Sequence, residues 1–461
     1  MNTVNILGNN FSALYLAYKL IDKGVHVRIF LDGCRPAGHF AGIKFQDSLF
    51  DIGMVFLEQP SMQSNSDRRL ENFSPEKRYD WLRYGQVLNN EIEKAFSPVR
   101  AHPVKVLYKR NLWPDHMISD RLDILALFPT VMPEMFNSLE SPVHAKYKNY
   151  AECYEKISID AASIFNHGEE MHRKLILPFL EKITRQDPKT LMAKFHRALW
   201  LPLYWPETII QTVGGKFSGL EEYKFFKTEA GTIADKIISI EAQVRSAQNI
   251  EVITSRIVKA KWKTNSIELE TDYYNFNIQP DCIGLGLGRF CELFGLRPVK
   301  ISDTEDLVVC FFLVDSEILP ADSFSVINIL DDEYKIYRVS NQGKCAQTGK
   351  VKLSVEANLK LLKESQNSNK LEDIITTELA QIFSSHPSQF DKRKIVVAKN
   401  ALVLPTFANV ISHEKKTQEI ARLFPRGNFS GHLLGYNVSS LNDQMAQALQ
   451  LYFRLGFDQN G

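Results

Sequence analysis

The sequence lacks an excess of charge of either sign and has few cysteines for its length. Its 461 residues include 55 lysines and arginines against 54 acidic residues, a formal net charge of +1. Proteins that bind nucleic acid usually carry a basic excess, so no nucleic-acid partner is predicted. The six cysteines lie far apart and form no C-x-x-C pair. This excludes a disulfide scaffold and is typical of reduced, buried thiols.

Long apolar runs are also missing, and none approaches the roughly 20 residues that a transmembrane helix needs. The first residues, Met1 to Val4, lead directly into a strand pattern, without the basic segment and cleavage site of a signal peptide. We therefore expect a cytoplasmic protein with no transmembrane segment. No H-E-x-x-H motif occurs, and no metal is expected. With 44% apolar and 24% charged residues, the chain is an ordinary globular protein, and its length suggests two or three domains.

The N-terminal residues predict a strand, a helix and a second strand. Val4 to Leu7 are mostly apolar and precede Gly8, apolar residues recur at helical spacing from Phe11 to Lys23, and Val25 to Leu31 form a second apolar stretch. Such a βαβ unit has two parallel strands and is typical of dinucleotide-binding domains. The start of its helix offers free N–H groups to a pyrophosphate.

The turn between this strand and helix carries an incomplete G-x-G-x-x-G/A motif. Gly8 and Ala13 fit its first and last positions, and Ser12 lies between them. Asn10, however, stands where the second glycine would let the backbone approach a phosphate. The acid that would bind a ribose is displaced by one residue, to Asp32. Alone, this motif only weakly indicates a nucleotide site.

Further motifs follow the second strand. Arg35, Ala37 and Gly38 come first, and a Phe-Asp-Ile-Gly sequence ends at Gly53. This order resembles the flavin-dependent amine oxidase and protoporphyrinogen oxidase superfamily, which includes UDP-galactopyranose mutases and has an arginine, a Gly-Gly pair and an fD.G element here. The resemblance implies FAD as cofactor, with Arg35, Ala37 and Gly38 at its phosphate and ribityl groups and Gly53 close to it. The alternative is a βαβ unit followed by an ordinary surface loop.

Two later segments resemble the same superfamily and imply further contacts with FAD. Ile257 matches a valine whose backbone borders the adenine. Gly431 and His432 match a Gly-Arg pair, so an imidazole replaces a guanidinium near the cofactor. Asn442 and Asp443 begin the last helix, whose N-terminus approaches the pyrophosphate and the flavin in the superfamily.

Four residues are candidates for binding a small-molecule substrate. Lys182 lies in a helical segment that resembles the cap of the superfamily, and Tyr204 belongs to a nearby aromatic and proline cluster. Lys182 could equally be a solvated lysine at a helix end. Arg338, beside Tyr337, could bind an anionic substrate group through its fork of donors, or form a salt bridge with Glu356.

The motif order implies an α/β fold with a glutathione-reductase-type Rossmann FAD-binding domain, a helical cap and an antiparallel-sheet substrate domain. The FAD-binding domain is expected to be discontinuous. Its parts are expected at residues 1–60, 212–300 and 396–461, with the mainly helical cap at 61–211 and the substrate sheet at 301–395.

The resemblance implies a FAD-dependent oxidoreductase that oxidises a small organic substrate by hydride transfer to flavin N5, with an NAD(P)-binding-like nucleotide domain. Two alternatives stay open. One is a flavin-dependent sugar-nucleotide mutase, and the other is a non-catalytic binding or assembly protein that keeps the flavoprotein fold. No catalytic side chain is predicted, and a homodimer is one possible assembly.

Overall fold

The structure is a computed structural model of the chain. It describes residues 3–33, 35–58, 84–113, 126–131, 133–134, 153–199, 201, 225–229, 231–264, 266–320, 324–364, 370–390, 393–438 and 440–457. Within these ranges, no helix combines the length and the apolar character needed to cross a membrane.

Helices and strands are interspersed along the chain, so the prediction of a mixed α/β fold is confirmed. The strands are β1 (Thr3–Gly8), β2 (His26–Phe30), β3 (Ile43–Phe45), β4 (Ser48–Phe50), β5 (Leu57–Glu58), β6 (Pro98–Arg100), β7 (Val104–Tyr108), β8 (Asn111–Trp113), β9 (Phe225–Thr228), β10 (Ile250–Ile253), β11 (Ile257–Trp262), β12 (Ile267–Thr271), β13 (Asn275–Ile278), β14 (Cys282–Gly284), β15 (Thr304–Val314), β16 (Val326–Ile329), β17 (Ile336–Lys344), β18 (Val351–Asn358) and β19 (Arg393–Val403). The α-helices are α1 (Phe11–Lys19), α2 (Gly85–Phe96), α3 (Ile159–His167), α4 (Glu169–Met171), α5 (Leu177–Thr184), α6 (Ile233–Ser246), α7 (Leu287–Leu293), α8 (Leu359–Glu364), α9 (Leu371–Ile382), α10 (Phe407–Leu423) and α11 (Leu441–Arg454).

A four-stranded parallel sheet contains the N-terminal βαβ unit. Its strand order is β10, β2, β1, β14, and β1 pairs in parallel with both β2 and β14. Successive side chains of a strand point to opposite faces. Val4 and Ile6 therefore pack into one hydrophobic cluster, while Leu7 packs into another. Parallel neighbours need a crossover connection, and α1 supplies it between β1 and β2.

The C-terminal helix α11 packs against α1. Leu14 and Tyr15 of α1 and Met445 and Leu449 of α11 are buried in one hydrophobic cluster, to which α6 also contributes. The N-terminal unit and the last helix therefore share a core although they are far apart in sequence. The division of the chain into domains stays a prediction.

A seven-stranded sheet forms the other large layer. Its order is β19, β15, β18, β17, β16, β7, β8, and β16–β7 is its parallel pair among otherwise antiparallel neighbours. β7 and β8 come from a segment predicted to be mainly helical, and β19 continues beyond the predicted boundary at residue 395. Helix α5 packs on this sheet, where Phe179 and Leu180 share a cluster with Tyr337.

The first prediction concerns the contact between α1 and α11. Met445 is fully buried there, so Met445→Ala should leave a cavity and destabilise the protein by about 2–5 kcal/mol. Urea unfolding followed by circular dichroism would show this as a lower midpoint. Arg454→Ala, at the exposed end of α11, is the matched control and should change stability by no more than about 0.5 kcal/mol. An unchanged midpoint for Met445→Ala would place α11 outside this core.

Candidate functional site

The carboxyl ends of β1 and β14 lie next to the start of α1. We call this place the crevice, because ligands of open α/β sheets bind in a crevice outside the carboxyl ends of the strands. Gly8 ends β1 with a φ of +126°, and a Cβ added to it would lie 2.3 Å from the carbonyl carbon of Gly284. The N–H of Asn10 donates to the carbonyl oxygen of Gly284 at 3.1 Å. This close approach of two backbones explains why the first position of the motif must be glycine.

The side chain of Asn10 lies inside this crevice. Its Oδ1 accepts the N–H of Ala13 at 2.9 Å and so caps α1, and its Nδ2 donates to Oγ of Ser430 at 3.0 Å. A Cβ added to Gly284 would lie 2.3 Å from Asn10 Oδ1, and one added to Gly431 would lie 2.7 Å from Asn10 Nδ2. Asn10 therefore occupies the space between the end of β14 and the Ser430–Gly431 loop.

Two glutamines of α11 supply further acceptors at the same place. Gln444 Oε1 accepts the N–H of Ser12 at 3.2 Å, and Gln447 Oε1 accepts the N–H of Gly431 at 2.7 Å. The hydroxyl of Ser12 donates to the carbonyl oxygen of Gln444 at 2.9 Å. Ser12, Gln444 and Gln447 are all buried. Side-chain oxygens of Gln444, Asn10 and Gln447 therefore accept the N–H groups of Ser12, Ala13 and Gly431. The resemblance would direct these three N–H groups at FAD.

An ion pair lies after β2, the neighbour of β1 in the sheet. Oδ1 of Asp32 accepts a hydrogen bond from the N–H of Ile257 at 2.8 Å, and its Oδ2 accepts one from Nε of Arg289 at 2.5 Å. Nη2 of Arg289 donates to the carbonyl oxygen of Ile257 at 2.5 Å. The Asp32 carboxylate raises the pKa of the Arg289 guanidinium. Arg289 therefore bonds to two groups that the resemblance places at the adenosine of FAD. They are the carboxylate of Asp32, expected at the ribose, and the backbone of Ile257, expected at the adenine.

The segment after β2 contains residues with a left-handed backbone. Ala37 has a φ of +66° and Gly38 a φ of +55°, so an alanine adopts the conformation that favours glycine. Gly53 has a φ of +76° and faces the carboxylate of Glu356. Arg35 is exposed. Their contacts with FAD stay predictions.

The fD.G element has a structural role of its own. The carboxylate of Asp51 accepts the N–H of Ile233 at 3.2 Å and that of Ala234 at 2.8 Å, at the start of α6. Negative charge at a helix N-terminus is favourable. The aspartate therefore fixes the loop that carries Gly53 against α6.

The start of α11 is likewise bonded within the chain. Ser440 caps the helix, and Asp443 Oδ2 accepts both the N–H and the hydroxyl of Ser440 in a capping box. Asn442 exchanges two hydrogen bonds with the backbone of Glu58 in β5. His432 is exposed, with its ring centroid 6.3 Å from that of His413.

The candidate substrate residues separate into two groups. Tyr337 donates its hydroxyl to Glu356 at 3.0 Å, and Arg338 forms a buried ion pair with the same carboxylate at 3.3 Å. Burial raises the pKa of Tyr337 well above its usual value. Lys182 donates to the carbonyl oxygens of Ile329, at 3.2 Å, and Asp331. Tyr204 lies outside the described residues, and binding of a substrate by this set stays a prediction.

Sequence reasoning missed Arg289, Gln444 and Gln447. The two glutamines are three residues apart and so lie on one face of α11, a spacing that the sequence displays. Arg289 follows Gly288 directly, but its partner Asp32 is distant in sequence. No local pattern joins residues so far apart. Among the described residues, no group of three or more histidine, cysteine or acidic side chains could hold a metal ion.

Burial of Lys182 generates a prediction about pH. Desolvation lowers the pKa of Lys182 from 10.5 to about 8. The unfolded chain then holds this proton to higher pH than the folded protein does, so stability should rise with pH between about 8 and 10.5. Lys182→Met should flatten this part of the urea-midpoint profile, while Lys189→Met, an exposed control, should follow the wild type. Parallel curves for the wild type and Lys182→Met would mean that Lys182 is a solvated lysine.

Comparison with known proteins identifies the fold. No family profile matches the sequence, and no curated protein matches it significantly. Among solved structures, a protein from Exiguobacterium sp. 255-15, provisionally named protoporphyrinogen oxidase, is 14% identical with a TM-score of 0.63, and 99% of each chain is covered. Reduced UDP-galactopyranose mutase is 10% identical with a TM-score of 0.67, covering 100% of this chain and 97% of that one.

A third structure is an amine oxidase. Cyclohexylamine oxidase from Brevibacterium oxydans IH-35A is 12% identical with a TM-score of 0.59, covering 98% of this chain and 99% of that one. These likenesses extend over almost the whole chain, and at such low identity they establish the fold alone. The resemblance inferred from the motifs is confirmed at that level: this chain has the fold of the flavin-dependent amine oxidase and protoporphyrinogen oxidase superfamily.

Proposed function

We propose that this chain uses the fold of flavin-dependent oxidoreductases without FAD, as a non-catalytic binding or assembly protein. The observation that carries this proposal is the state of the α1 N-terminus. Free N–H groups at a helix start are what binds a phosphate. Here the N–H groups of Ser12 and Ala13 in the first turn of α1 are bonded to side-chain oxygens of Gln444 and Asn10, and the N–H of Gly431 in the adjacent loop is bonded to Gln447. The residues present therefore do not fit the pyrophosphate of FAD.

The adenosine end supports the same proposal independently. A ribose would need the carboxylate of Asp32, which Arg289 already holds. A charge-assisted hydrogen bond contributes about 1.5–3 kcal/mol, so losing one lowers affinity roughly ten- to a hundredfold. Adenine would also compete with Asp32 and Arg289 for the backbone of Ile257. FAD would have to break these contacts in addition to those of Asn10 and Gln444.

The second candidate function is FAD-dependent oxidation of a small organic substrate. It is supported by the likeness to oxidases over almost the whole chain. The Gly53 backbone also favours it, because its left-handed φ and lack of a side chain allow the close approach that the resemblance implies there. A sugar-nucleotide mutase has less support, since Arg338 and Tyr337 are both bonded to Glu356 and would have to leave it to bind a diphosphate.

The absorbance of the purified protein and a titration with FAD test the proposal. We predict no flavin absorbance and a Kd for FAD weaker than about 100 μM. The variant Asn10→Gly/Arg289→Ala removes two of the groups that fill the crevice, so it should bind FAD at least tenfold more tightly. Arg245→Ala, which removes an exposed arginine of α6 paired with Glu241, is the matched control and should leave FAD binding unchanged.

Two outcomes would contradict the proposal. If flavin copurifies with the wild type, or if the wild type binds FAD with a low-micromolar Kd, the oxidoreductase becomes the better explanation. Turnover of an amine or another small substrate with flavin reduction would then identify the reaction. Circular dichroism of each variant checks that changes in affinity do not arise from loss of the fold.

A further inference from the structure

A second cavity, of about 320 Å³, lies at the other end of α1. It is formed by residues of α1, α2, α6 and α11 and by the turn that follows α1. Its volume falls at the lower end of the range for small-molecule pockets. The nine residues of α1 extend over about 12 Å at a rise of about 1.5 Å per residue, which separates this cavity from the crevice.

One side of the cavity is aromatic and firmly packed. Tyr452 stacks on Phe457 with ring centroids 5.0 Å apart, and Phe453 lies 5.6 Å from the ring of Tyr84. Leu449, one turn earlier on α11, is buried. Leu449 and Tyr452 therefore support the wall from behind, and the half-buried Phe453 presents its apolar ring to the cavity.

The mouth of the cavity is positively charged. Lys19 forms an ion pair with Glu91 at 2.6 Å and lies 5.2 Å from the ring centroid of Tyr452. The other oxygen of Glu91 accepts the hydroxyl of Tyr15 at 2.7 Å, so both carboxylate oxygens are used. Lys23 and Lys94 also line the cavity and are exposed. Neither lysine has an ion-pair partner in the part of the chain that the structure describes.

We propose that this cavity binds a small amphipathic anion, a compound with a flat apolar body and one carboxylate, sulfonate or phosphate group. The apolar body would contact the half-buried side chains of Tyr18, Val87 and Phe453, and the anionic group would interact with Lys23 and Lys94. The charged lining residues are three lysines and one glutamate, so the charge complements an anion. The site shares no residue with the crevice and does not depend on whether FAD binds.

Fluorescence titration with 1-anilinonaphthalene-8-sulfonate, an aromatic sulfonate, tests this site. The wild type should bind one molecule saturably. Lys23→Glu/Lys94→Glu should weaken binding at least tenfold, because the sulfonate then meets two negative charges. Val87→Trp, which fills the cavity without changing its charge, should abolish saturable binding. Lys44→Glu/Lys189→Glu makes the same change of net charge at exposed positions outside the cavity and should bind like the wild type.

The variants also separate this site from the crevice. Asn10→Gly/Arg289→Ala should leave the affinity for the sulfonate unchanged, whatever it does to FAD. Non-saturable binding by the wild type would overturn the proposal. Wild-type affinity in both the charge-reversal and the Val87→Trp variants would also overturn it, because the probe would then be bound elsewhere.

Discussion

The first N–H groups of an α-helix have no partners within the helix, and the way α1 satisfies them shapes the rest of this molecule. Asn10 caps the helix from within its own turn, and Gln444 reaches it from α11. Gln447 of the same helix holds Gly431, so α1, α11 and the Gly431 loop are joined by one buried polar network. The same hydrogen bonds therefore help to hold the C-terminal helix against α1 and place side chains in the crevice.

A network of this kind also explains how the fold could be stable with no ligand at its nucleotide end. Buried polar groups are costly when they lack partners, and a dinucleotide normally supplies such partners in this type of crevice. Here side-chain amides and the Arg289–Asp32 ion pair supply them instead. Ala37 adopts a left-handed backbone without being a glycine, so the surrounding structure stabilises that conformation.

Much of the N-terminal unit could be predicted because its signals are local. Apolar periodicity predicts β1, α1 and β2, and Gly8 is required by a backbone contact that the turn motif encodes. The turn motif also points to Asp32, whose role at a cofactor stays a prediction, but its partner Arg289 comes from another part of the fold. The pairing of β1 with both β2 and β14 brings them to the same end of one sheet.

The candidate substrate residues show more clearly what sequence patterns cannot predict. A helical pattern identifies Lys182 but cannot show that its amine donates to two backbone carbonyls at the end of β16. For Arg338, the salt bridge with Glu356 was one of two alternatives, and the structure contains it. The strands β7 and β8 escaped prediction because three to five residues carry too little periodicity to separate a strand from a loop.

The most direct test of the account is a crystal structure of the protein grown with excess FAD. We predict Asn10 Oδ1 at hydrogen-bond distance from the N–H of Ala13, Arg289 bonded to Asp32, and no flavin density in the crevice. Flavin density along the start of α1, with Asn10 and Arg289 turned away, would contradict the account.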